Sequence, residues 1–197
     1  DADSADAFDS VTDQNVSVTT NDNDIAGFTL SKATATVSES GTTDSFTVVL
    51  SSAPTTDVVL SVTPSDTGEA TASVSTLTFT SANWNTAQTV TVTGVDDALV
   101  DGTQSSSITL SVDDGSSDNT FDGVADQSVA VSTADDDGAG FTISKTTASV
   151  SEAGTTDSFT VVLDTAPATN VVLSVAASDT GEATVSASSL TFTPSRS

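Results

Sequence analysis

Gly41-Thr42-Thr43-Asp44-Ser45-Phe46-Thr47-Val48-Val49-Leu50 alternates, with Phe46, Val48 and Leu50 on one side of an extended chain and Ser45, Thr47 and Val49 on the other. Period-two alternation of aromatic and β-branched residues marks a strand with one buried face. The same ten letters return as Gly154 to Leu163. One stretch therefore carries both the strand signal and the repeat signal.

The repeat extends well beyond these ten residues. At an offset of 113, Phe28-Thr29-Leu30-Ser31-Lys32 falls on Phe141-Thr142-Ile143-Ser144-Lys145, and Asp66 to Thr71 falls on Asp179 to Thr184. No gap is needed from Ala26 to Thr80, where about three quarters of positions are identical. A period this long means whole domains rather than solenoid turns. The same offset sets Phe8-Asp9 on Phe121-Asp122. Residues 1–21 read as the last strand of one repeat, 22–134 as a complete repeat and 135–197 as the first half of the next. The chain is expected to be cut from a longer array.

Within the complete repeat the alternation recurs. Val58, Leu60 and Val62 share a face, then Leu77 and Phe79, Val90 and Val92, Ile108, Leu110 and Val112, and Val129 and Val131. With Phe28–Ser31 and Thr34–Val37 in front, about seven strands result, the usual count for a β-sandwich of this size. Gly41, Ala53-Pro54, Ser65 to Gly68, Asn83 to Asn85, Asp101-Gly102 and Asp113 to Asn119 supply the turns. The expected fold is all-β, a tandem β-sandwich. Trp84 reads as a core or edge plug.

Charge bounds the chemistry. The chain carries 28 acidic against 3 basic residues, and no His or Cys. Nucleic acid and anionic membrane need a basic footprint, so neither is expected as a partner. No stretch is apolar enough to span a bilayer as a helix, so no membrane insertion is expected. Without His or Cys there is no nucleophile–base pair, and an enzyme is not expected. Lack of Cys fits a secreted bacterial surface protein better than a small disulfide-stapled one.

The acids gather at a few places: Glu39, Glu69, Asp96-Asp97 with Asp101, and Asp135-Asp136-Asp137. On a sandwich, the loop after the first strand, the loop between the fifth and sixth strands and the end of the last strand can share one pole. Close carboxylates repel unless a cation neutralises them. Calcium takes six to eight hard oxygen ligands in flexible geometry, and no nitrogen or sulfur donor invites zinc. The expected cofactor is Ca2+. Asp22 and Asp24 in the preceding joint, and Glu152 and Glu182 at the repeat offset from Glu39 and Glu69, belong to the candidate set. Asp44, Asp66 and Asp113-Asp114 read as turn formers.

Val37-Ser38-Glu39 before Gly41, the Leu77-Thr78-Phe79 strand, Val92-Thr93-Gly94-Val95-Asp96-Asp97 with Asp101, and the terminal acidic run together resemble the Calx-β domain, most of all its tandem form in large bacterial surface proteins. The resemblance covers the 22–134 repeat and the first half of the next. It implies an immunoglobulin-like Greek-key sandwich of about seven antiparallel strands, with calcium at the pole facing the following domain. By position it assigns the ion to Glu39, Asp96, Asp97, Asp101 and Asp135 to Asp137, with Glu69 a looser match and Asp66 its rival. Two positions depart from the pattern: Gln104 stands where a further acid occurs in strong binders, and Asn23 replaces the middle aspartate of the first joint.

Near-identical repeats with acidic joints lead to the expectation of a structural segment of an extracellular stalk, extender or filament. Its partners would be neighbouring copies of the same repeat, and other chains in a fibre if strands are donated between them. The alternative is a calcium-dependent adhesin or ligand-binding module on the cell surface.

Overall fold

The alternating segments of the complete repeat become the strands of two facing sheets in a computed structural model that describes residues 6–8 and 10–194. In chain order they are β1 (Phe28–Leu30), β2 (Thr34–Ser38), β3 (Thr43–Leu50), β4 (Val58–Pro64), β5 (Ala70–Ala72), β6 (Thr76–Phe79), β7 (Gln88–Gly94), β8 (Gln104–Val112) and β9 (Gln127–Ala134). One sheet runs β1-β3-β7-β5 and the other β2-β9-β8-β4-β6. All neighbours are antiparallel except β2 and β9, which pair in parallel from Thr34↔Ala130 to Ser38↔Ala134.

The core is the one the alternation marks. Phe46, Val48 and Leu50 of β3 face Leu60, Phe79, Ile108, Leu110 and Val129 of the other sheet's strands, and all are buried. Each such side chain contributes roughly 1.5–3 kcal/mol relative to exposure. Outward positions are mostly Ser and Thr, with Val49 and Val59 among the exceptions, which explains how a chain so rich in hydroxyls owns a continuous core. Trp84 packs partly buried against that core, and its carbonyl accepts the Leu50 N–H at 3.1 Å.

Three features differ from the sequence expectation. The sandwich has nine strands rather than about seven, because the first strand breaks after Leu30 and its halves join different sheets. The second extra strand, β5, is an Ala-Thr-Ala segment whose side chains are too small to register as alternation. Third, the stretch from Asp113 to Asn119 is more than a turn. Asp118, almost fully buried, accepts the backbone N–H of Thr55 (2.7 Å), Thr56 (3.0 Å) and Thr120 (2.9 Å) and the hydroxyls of Thr55 and Thr120. These donors, the Thr55 hydroxyl first, hold its carboxyl well below the usual carboxylate range. The clamp seats Phe121 in the core.

Beyond the joint, β10 (Phe141–Ile143) pairs with β11 (Val161–Leu163), and β12 (Val171–Ser174) with β13 (Ser189–Phe192). The registers Phe141↔Leu163 and Val171↔Phe192 reproduce Phe28↔Leu50 and Val58↔Phe79. Local pairing is thus repeated, but burial is not. Phe159 is 44% exposed whereas Phe46, in the identical decapeptide, is 1% exposed. A strand's apolar face is buried by the sheet opposite, and β7, β8 and β9 have no counterpart among the described residues after Phe192. Residues 11–27 carry no strand, and no helix of the described chain is long and apolar enough to cross a membrane.

Candidate metal centre

Four local devices bring the acids to one pole. Glu39 follows β2 directly, and its N–H extends the β2–β9 ladder to the Ala134 carbonyl at 3.0 Å. The turn behind it closes through the Gly41 N–H on the Ser38 carbonyl (3.1 Å) and the Ser38 N–H on the Thr42 hydroxyl (2.7 Å). Gly41 has φ +79°, a left-handed conformation that glycine adopts without strain.

Gly94 ends β7 beneath this turn. Its N–H donates to the Thr42 carbonyl at 3.1 Å, and a Cβ there would lie only 2.1 Å from the Ser38 oxygen. An isolated strand glycine commonly marks such a close backbone approach. Here it presses the end of β7, and the Asp96-Asp97 loop that follows, against the Glu39 turn.

The Glu69 backbone is held from two sides. Its carbonyl accepts the Val95 N–H at 3.0 Å and the Thr133 hydroxyl at 3.3 Å. Ahead of it, Asp66 accepts the Gly68 N–H at 2.9 Å, so Asp66 is the turn former that its sequence position suggests.

Asp135 braces the loop from the linker side. Its Oδ2 accepts the N–H groups of Asp101 (3.0 Å) and Gly102 (2.7 Å), and its Oδ1 accepts that of Asp137 (2.7 Å). The Gly102 N–H leads the donors that lower its pKa. Asp97 Oδ1 in turn receives the Leu99 N–H at 2.7 Å.

The result is two triads that share one residue. Glu39, Asp97 and Asp137 form the first and Glu69, Asp97 and Asp101 the second, and within each the carboxylate oxygens lie within 4.8 Å of one another. Glu39 is 1% exposed, and its Oε2, like Glu69 Oε2 and Asp137 Oδ2, is buried without a hydrogen-bond partner. Burial is the first cause that raises the pKa of all three. Repulsion adds to it, mainly from Asp97 on Glu39, from Asp101 on Glu69 and from Asp135 on Asp137. The Asp136 N–H partly offsets the shift at Glu39. No lysine relieves the cluster, because Lys32 pairs with Asp44 and Lys145 with Asp157.

Buried anionic oxygens without donors are costly unless a cation compensates them. The donor set is all oxygen and rich in carboxylate, which suits Ca2+ and excludes a thiolate or imidazole zinc site. Glu39, Glu69, Asp97, Asp101 and Asp137 are the residues that would hold the ion.

The remaining sequence candidates belong to neither triad. Asp96 and Asp136 join neither triad, and Asp135 spends both oxygens on backbone N–H groups. Asp22 forms a local turn, accepting the Asp24 N–H at 2.9 Å, and both residues are exposed. Glu152 and Glu182 are exposed as well. Gly94 enters the sequence analysis only as a letter of the Val92–Asp97 motif; its close approach to Ser38 was signalled by no more than a lone glycine at the end of an alternating strand.

No protein-family model matches the chain, and comparison with the curated proteins finds no match. Among solved structures, the chain is similar to the apo form of the Calx CBD1 domain, at 16% identity and a TM-score of 0.43 over 57% of this chain and 99% of that one. It is similar to CBD12 from CALX1.2, at 16% identity and a TM-score of 0.43 over 86% of this chain and 72% of that one. Domains 1–6 of the surface layer protein SbsC align at 20% identity and a TM-score of 0.41, over 80% of this chain and 19% of that one.

Proposed function

We propose that the pole built by Glu39, Glu69, Asp97, Asp101 and Asp137 binds calcium and thereby stiffens the joint to the following repeat, in an extracellular stalk or filament at a bacterial cell surface. The observation that carries this reading is the Glu39 carboxylate, 1% exposed, whose unpartnered Oε2 sits in a triad with Asp97 and Asp137.

The triad joins parts of the chain that are far apart in sequence. Glu39 belongs to the turn after β2, Asp97 to the loop after β7, and Asp137 to the linker that leads into β10. A bound Ca2+ supplies the positive charge that these carboxylates lack. The unfolded chain has no preformed site, so binding free energy adds to folding free energy and holds the linker against the sandwich. Neighbouring copies of the same repeat are the partners, with other chains in a fibre as the larger assembly, and the role is structural rather than catalytic.

Calorimetric titration with CaCl2 tests the assignment. Saturable binding is expected in the parent chain and should be lost in Glu39→Gln and Asp97→Asn. Glu152→Gln, at an exposed position, should leave it intact. Heats indifferent to Glu39→Gln and Asp97→Asn would refute the site.

A further inference from the structure

Residues 27–39 run from one pole of the complete sandwich to the other and change sheets halfway. In the first half the Ser51 N–H donates to the Gly27 carbonyl at 2.8 Å, β1 pairs with β3, and the Ser31 N–H donates to the Thr47 carbonyl at 3.0 Å. The Lys32–Asp44 ion pair marks the break. From there the chain belongs to β9. The Ala130 N–H donates to the Ala33 carbonyl at 2.9 Å, the parallel register Thr34↔Ala130 to Ser38↔Ala134 follows, and the Glu39 N–H on the Ala134 carbonyl closes the ladder at 3.0 Å. Among the described residues β9 is the only strand paired with β2. Residues 147–151, at the repeat offset from β2, carry no strand, and among the described residues they pair with no counterpart of β9.

The geometry points to the parallel β2–β9 ladder as the load-bearing element of the repeat, a shear clamp that resists tension along the chain. Tension enters through the segment that ends in β2 and leaves through the linker after β9. Because the two strands run parallel, these forces pull them past each other along their common axis. The evenly spaced bonds of a parallel pair are then strained together and must fail together. In an antiparallel pair joined by a hairpin, the same pull would open the ladder from one end, bond by bond. Forced unfolding is governed by the unfolding barrier rather than by equilibrium stability, so the direction of load matters as much as the number of bonds. The Gln127 amide at the start of β9 also donates to the Phe28 carbonyl at 2.6 Å, so β9 grips β1 as well. That tension reaches the repeat rests on the stalk reading, whereas the clamp is a property of the fold and needs no ion.

The chain has no Cys, so handles can be placed at will. Ile25→Cys with Ala139→Cys pulls along the ladder, and Ser40→Cys with Ala139→Cys pulls its Glu39–Ala134 end apart; all three positions are exposed. In optical tweezers, with chelator present, the first pair should unfold at a several-fold higher force than the second at the same loading rate. Ala130→Pro removes the N–H that Ala33 accepts, and should lower the force of the first pair far more than that of the second. Equal forces in the two geometries, or a first-pair force that Ala130→Pro leaves unchanged, would overturn the clamp. If Ala130→Pro fails to fold, the comparison of the two pairs in the parent decides alone. Calcium heats separate the two readings. A several-fold difference in a chain that takes up no calcium upholds the clamp and rejects the calcium joint, and saturable heats with equal forces reject the clamp alone.

Discussion

Replacing Gly94 with alanine adds a single methyl group where the chain has no room for it. The new Cβ would lie 2.1 Å from the Ser38 carbonyl oxygen and 2.7 Å from its carbon. Real Cβ contacts essentially never fall under 3.0 Å, so the two backbones must part by about 0.9 Å. Both sides of the contact are main chain, held by the Gly94 N–H on Thr42 and the Glu39 N–H on Ala134. Two effects compete. Gly94 has no positive φ, so alanine should gain about 0.4–1 kcal/mol by restricting the unfolded chain. Overpacking against a braced backbone costs typically 1–3 kcal/mol. The steric cost wins, and for a domain of this size each kcal/mol lowers the melting temperature by about 4 °C. Thermal unfolding followed by circular dichroism, with a chelator present, measures it. Gly123→Ala is the control, since a Cβ there meets nothing within 4 Å and its φ is not positive. Because the shift also moves the Glu39 turn away from Asp97, calcium binding should weaken in Gly94→Ala alone. Equal stability of Gly94→Ala and Gly123→Ala would refute this account of how the pole is assembled.

Further outcomes follow from the same geometry. In chelator, Glu39, Glu69 and Asp137 have raised pKa values in the folded state. Their stabilising contribution is complete below the unfolded values, 4.5 for the glutamates and 3.8 for Asp137, and is lost as pH rises through the folded ones. The ion-free protein should therefore melt higher at mildly acidic pH than at neutral pH, and Glu39→Gln should weaken that dependence; a melting temperature that falls on mild acidification would contradict it. The lowered groups oppose this only in stronger acid, where Asp44, at about 2, and Asp157, also at about 2, become protonated and release Lys32 and Lys145. At the opposite pole, Asp118→Ala orphans the Thr55, Thr56 and Thr120 donors. It should lower the melting temperature with and without calcium, and an unchanged melt would show that the clamp does not hold the loop.

The core was legible because alternation and burial are two views of one pleated strand. Phe46, Val48, Leu50, Val90 and Val92 went inside as their spacing required. Phe121 and Ala70 are just as buried but sit in a loop and in a three-residue strand, where period two has no length over which to act. The acids could be assigned to one pole from the order of loops, but not sorted within it. Asp135 and Asp137 are two residues apart in one acidic run, yet one is saturated by backbone donors and the other has a bare oxygen. That division depends on where Gly102 and Asp101 point their N–H groups, which no linear spacing encodes. The exposure of Glu152 beside the burial of Glu39 makes the same point, because the enclosing strands β7 and β9 lie far along the sequence from the motif.

If calcium holds the Glu39, Asp97 and Asp137 carboxylates together, its removal must cost stability only while Glu39 is a carboxylate. Thermal unfolding of the parent chain and of Glu39→Gln, each in CaCl2 and in chelator, measures this. At a free ion concentration about a hundred times the dissociation constant, binding adds roughly 2.7 kcal/mol of stability. The parent's melting temperature should rise clearly with calcium, and that of Glu39→Gln little or not at all. A parent that melts at the same temperature in calcium and in chelator would contradict it.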